Sequence, residues 1–69
     1  MSNYIISDAL FDQIMQIRSD GRVNLFDAVA VQRLAFEYGF HELVLLLEDN
    51  RKAYSRFILT GERGERDVD

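Results

Sequence analysis

The chain has 69 residues, no cysteine, no proline, a single histidine and a formal charge of -4. That length allows one domain with one small core, which by itself supplies about 3–5 kcal/mol. With no thiols a disulfide framework is excluded, one histidine cannot build an ordinary zinc site, and net acidity disfavours a phosphate backbone as partner.

Ser7 precedes an apolar series at three- and four-residue spacing, Leu10, Ile14 and Ile17, with Phe11 and Met15 beside it. This spacing predicts a helix from Asp8 to Asp20, with Ser7 as N-cap, Asp8 in the dipole-favoured first turn and Gly21 as the left-handed stop. Nothing at the N-terminus resembles a secretory leader, since no basic region precedes the apolar residues, and no run approaches the ~18 apolar residues of a membrane span. The expected setting is therefore the cytoplasm, with no membrane partner.

After a short link, Asn24 and Asp27 stand three residues apart in the manner of a capping box, so a second helix is expected to begin at Asn24. It carries Leu25, Phe26, Ala28, Val29, Ala30, Val31, Leu34, Ala35 and Phe36, with Asp27, Gln32, Arg33 and Glu37 scattered around the wheel. A helix apolar on most sides is a buried one, and this is the expected central element. Gly39 should end it, with Phe40 folding back on Ala35 in a Schellman stop.

From His41 onward two readings are open. Leu43, Leu47, Tyr54, Phe57 and Ile58 stay in phase on one stripe, as in a single long helix, whereas Asp49 and Asn50 are cap residues that would divide it. Gly61 closes the element. Residues 62–69 hold four acids and two bases, half of the net charge, and are expected to fray as a flexible charged tail. The expected architecture is thus all-α: one domain over residues 1–61, a unit of three or four helices.

Catalytic and metal motifs fail on inspection. His41-Glu42 lacks the second histidine of a zinc protease, because position 45 is leucine; Glu48-Asp49-Asn50 lacks the alternating ligands and glycine of a calcium loop. Gly61 and Gly64 have neither a preceding strand nor a Lys-Ser/Thr pair to cradle phosphate, and Ser7, Ser19 and Ser55 share one histidine without a nucleophile turn. No cofactor, no metal and no enzymatic activity are expected.

Three surfaces invite a binding role. Ala35, Gly39 and Leu45 match loosely the spacing of a helix-turn-helix, but its second helix would offer Glu42, Leu43 to Leu47, Glu48 and Asp49 to DNA, which suits phosphates badly. Arg51, Lys52 and Arg56 alternate with Tyr54 and Phe57, either as a solvated helix face over buried aromatics or as a charged anchor for a partner, with Arg33 a further member. The five apolar residues from Leu43 to Leu47 cover more than half a helix circumference, more than one layer of packing hides. A seam through Phe40, Leu43, Val44, Leu46 and Leu47, holding a dimer or a partner protein, is the expected interface.

The residues from Ile14 to Glu62 resemble a family of short proteins from phages and prophages of Firmicutes known only as a domain of unknown function. The shared parts are the Gly21, Asn24, Phe26, Asp27 link, the Ala30-Val31-Gln32 segment, the turn with Gly39, Phe40, Glu42, Leu43 and Val44, and the closing Phe57 to Gly61. The resemblance implies a phage-encoded accessory protein in the cytoplasm of an infected or lysogenic host, and brings no catalytic residues. The expected function is that of an interaction module that binds itself and a host or phage protein, such as a defence nuclease. A helix-turn-helix regulator using Arg33, Arg51, Lys52 and Arg56, and an oligomeric sponge for an anionic nucleotide, are the alternatives.

Overall fold

A computed structural model describes residues 5–64. Among the described residues four helices follow one another: α1 (Asp8–Asp20), α2 (Ala28–Tyr38), α3 (His41–Asp49) and α4 (Arg51–Thr60). The fold is all-α, and among the described residues there is no strand.

Local chemistry sets most of the boundaries. The Ser7 hydroxyl accepts the Leu10 amide at 3.2 Å, satisfying one of the amides that the first turn leaves open, and Gly21 ends α1 at φ 76°. At the end of α2 the Phe40 amide reaches the Ala35 carbonyl (2.8 Å) and the Gly39 amide reaches Phe36 (3.1 Å), the paired bonds of a Schellman stop.

The start of α2 differs from the expected one. Asn24 does not cap it: its side chain accepts the Phe26 amide (2.9 Å) and its carbonyl accepts the Asp27 amide (2.9 Å), closing a turn. Asp27 takes over as N-cap, accepting the Ala30 amide at 3.2 Å, so the helix begins one turn later.

The open question beyond His41 resolves as a break. Asn50 ends α3 by donating its amide to Leu46 (2.8 Å) and starts α4 by accepting the Ala53 amide on its side chain (3.4 Å). One residue serves both helices because its short amide side chain replaces a backbone partner.

The core joins Ile6, Leu10, Ile14 and Ile17 to Val31, Leu34 and Ala35 of α2, Leu43, Leu46 and Leu47 of α3, and Tyr54 and Phe57 of α4. α3 packs against α1, α2 and α4 alike. The expectation of a helix buried on most sides holds for only one face of α2, that of Val31, Leu34 and Ala35; Val29 and Phe36 point outward.

The chain beyond Gly61 also differs from expectation. The Ile6 amide donates to the Arg63 carbonyl (2.9 Å), and the Ile5 amide to Gly64 (3.2 Å). The Arg63 guanidinium donates to the Ile6 carbonyl (2.8 Å) and to Asp8 (2.7 Å). Arg63 and Gly64 are therefore docked rather than frayed; the rest of the expected flexible tail, residues 65–69, lies outside the described residues.

Candidate interaction surfaces

The expected seam on α3 is corrected by its own neighbours. Leu43, Leu46 and Leu47 belong to the core of a single copy, because three helices close around α3 rather than one covering layer. Val44 is half-buried and packs on that core. Phe40 is half-buried as well, its ring stacked on Tyr38 with centroids 5.1 Å apart. Leu45 alone of the five points to solvent.

Apolar surface is present, but it lies mainly on α2. Val29 is 54% exposed and Phe36 72%, and seven residues, close to two turns, separate them. Between them on the same stripe stands Arg33, exposed. On the neighbouring helix Leu45 is 55% exposed, and the hairpin is clipped by Gln32 donating to Glu48 at 3.2 Å. Sequence reasoning missed this stripe because a wheel with apolar residues all round does not say which of them the neighbours will cover.

The basic residues of α4 share one exposed face. Arg51, Lys52, Ser55 and Arg56 line a shallow depression of about 650 Å³ together with Leu59, itself 70% exposed, and Glu62. Arg56 reaches Glu62 at 3.7 Å, a loose pair in solvent; Tyr54 and Phe57 turn inward, as the solvated-face reading expected. Arg33 does not join this face, since it stands on α2.

A third feature lies between α1, the α1–α2 link and α4: a groove of about 620 Å³ lined by Phe11, Met15, Arg18, Phe26, Phe57 and Ile58, among others. Phe11 meets Phe57 edge to face at 5.7 Å, and the Arg63 guanidinium sits 5.4 Å above the Phe11 ring.

One polar cluster went unforeseen. Arg22 grips Asp20 with both ends of its guanidinium (2.6 and 3.0 Å), and the Tyr38 hydroxyl donates to the same carboxylate. Hydrogen bonds from Arg22 and then Tyr38 hold the Asp20 carboxyl down at about 2. Tyr38 itself is pushed up, chiefly by its bond to Asp20. The cluster joins the end of α1 to the end of α2 and has the character of a surface clasp. The Asp20–Arg22 spacing across Gly21 was visible in the sequence; the arrival of Tyr38, eighteen positions from Asp20, was not.

Among the described residues no group of three or more His, Asp or Glu side chains is placed to hold a metal ion, and no helix is long and apolar enough to cross a membrane.

The fold and these surfaces define a small all-helical domain with a closed core, and with apolar and basic side chains left outside it. A family model described as "Domain of unknown function (DUF5049)" matches residues 6–62, and the chain belongs to that family. No curated protein and no solved structure showed a significant match.

Proposed function

We propose that this chain is a protein-interaction module, encoded by a phage or prophage, that associates with its own copy and modulates or inhibits a host or phage protein; a defence nuclease is one such target. The observation that carries the reading is Leu59, 70% exposed on α4 and sharing one shallow depression with Arg51, Lys52 and Arg56, with Glu62 at its edge. An exposed aliphatic residue among cations suits a partner surface where an apolar pocket is bordered by carboxylates. On a chain whose net charge is -4, that local basic face selects acidic surfaces. The exposed side of α3 carries His41, Glu42, Leu45, Glu48 and Asp49, which argues against its use as a DNA-reading helix.

The test is capture from lysate of infected and uninfected bacteria, with wild-type chain and the Arg51→Glu/Lys52→Glu variant as baits. A specific protein retained by the wild type, released by salt and lost with the variant is expected. Its purified form should then change activity when the chain is added. Retention of the same protein by both baits would remove α4 from the reading. A salt-sensitive shift of duplex DNA abolished by the same variant would transfer the face to the helix-turn-helix alternative.

A further inference from the structure

We infer that the outer stripe of α2 is the surface on which two copies of this chain meet, in an antiparallel, two-fold pair centred beside Phe36. This deepens the self-association within the proposed function and rests on that part of it.

Three observations converge. The first is apolar surface: Val29 and Phe36 align along α2, with Leu45 exposed on the helix packed beside it. The same helix buries Val31, Leu34 and Ala35 on its opposite side, so its two faces are both apolar and only one is covered within the copy.

The second is charge. Arg33 and Glu37 are both exposed, four residues apart on the same flank of the stripe, and neither makes an ion pair among the described residues. Four residues rise about 6 Å along a helix. A two-fold axis perpendicular to two antiparallel helices keeps each flank facing its own kind. If it passes midway between Arg33 and Glu37, each Arg33 comes level with Glu37 of the second copy, twice. Phe36 lies beside the axis, where the two rings come together, and Val29 extends the contact at each end.

The third is the other flank. There Gln32 donates to Glu48 of the same copy, so the uncommitted cation and anion stand together on the flank of Arg33 and Glu37. A surface with one cation and one anion placed symmetrically about an apolar centre is complementary to itself, the requirement of an isologous interface. An unrelated partner would need no such internal symmetry.

The experiment is sedimentation velocity on the full chain over a dilution series, with far-UV circular dichroism to verify folding. Wild type is expected to sediment as a dimer. Phe36→Glu should be a folded monomer. Arg33→Glu and Glu37→Arg should each raise the dissociation constant about tenfold or more, because each sets like charges against one another twice. An equimolar mixture of those two variants should recover a 1:1 dimer, since position 33 of either copy then meets the opposite charge at position 37 of the other. The double variant carrying both changes should dimerise by itself.

A mixture no tighter than the separate variants overturns the antiparallel pairing. A wild-type dimer indifferent to Phe36→Glu overturns the stripe and leaves self-association to another face. A wild type that stays monomeric at all concentrations overturns both.

Discussion

The hydroxyl of Tyr54 donates to the backbone carbonyl of Leu25 at 2.6 Å, tying α4 to the link between α1 and α2. The ring is almost fully buried, and burial pushes its phenol up to about 12. Replacing Tyr54 with Phe keeps the packing and leaves the Leu25 carbonyl without its donor, which costs about 1–2 kcal/mol. For a domain of this size that lowers the melting temperature by roughly 4–16 °C. Thermal melts at neutral pH check it, and an unchanged midpoint would deny the bond any role.

The same residue gives an alkaline signature. A phenol at about 12 when folded, against 10.0 for its ordinary value, means that the folded state holds its proton more tightly. Its contribution is complete below pH 10 and falls away as pH rises through 12. Tyr38 is raised too and adds to the same limb. Denaturant titrations between pH 9 and 12 should therefore show stability declining in wild type and declining less in Tyr54→Phe.

At the acid end the sign reverses. Asp20 is held at about 2 against 3.8, so the folded state releases its proton more readily than the unfolded chain does. The stabilisation is complete above pH 4 and is lost as pH falls toward 2. In Asp20→Asn the melting temperature should fall less steeply over that window. The Asp20 carboxyl carbon, followed by NMR, should titrate near 2 in wild type and move upward in Arg22→Ala. The opposite movement would mean that the guanidinium does not set the carboxyl's acidity.

The correction on α3 is open to direct measurement. Leu43 lies wholly inside the core and Leu45 is more than half exposed, two positions apart on one helix. Leu43→Ala should cost about 3 kcal/mol, from lost transfer energy and the cavity left behind, and Leu45→Ala less than about 0.5 kcal/mol. Urea titrations compare them. Similar losses would mean that the burial of α3 is not as described.

What the sequence disclosed follows a physical division. Caps are local: Ser7 before an apolar series, or Gly39 followed by Phe40, carry their hydrogen-bond partners within five residues, and these boundaries were legible. Asn24 misleads because an asparagine that closes a turn and one that caps a helix look alike until the next polar residue, Asp27, is seen to take the cap. Periodicity identifies Leu43, Leu46 and Leu47 as apolar but not as already covered, since that depends on three helices arriving from elsewhere in the chain. The bond from Tyr54 to Leu25 spans 29 positions and leaves no trace in spacing.

Arg63 presents the same problem at the other end of the chain, where a run of charged residues reads as a solvated tail. Its guanidinium donates to the Ile6 carbonyl and to Asp8 and covers the Phe11 ring, and its own carbonyl accepts the Ile6 amide. Asp8 is largely exposed, so the ion pair itself contributes little; the bonds to the Ile6 backbone, beside a side chain with no exposure at all, contribute more. Arg63→Lys retains the charge but loses the planar fork that reaches two acceptors at once. It should therefore recover only part of what Arg63→Ala loses, about 1–2 kcal/mol in the alanine variant. Truncation after Gly61 should cost at least as much, whereas a fraying tail would be removed at no cost. Hydrogen exchange at the Ile6 amide provides the local check: it should be protected in the full chain and quick to exchange in the truncated one.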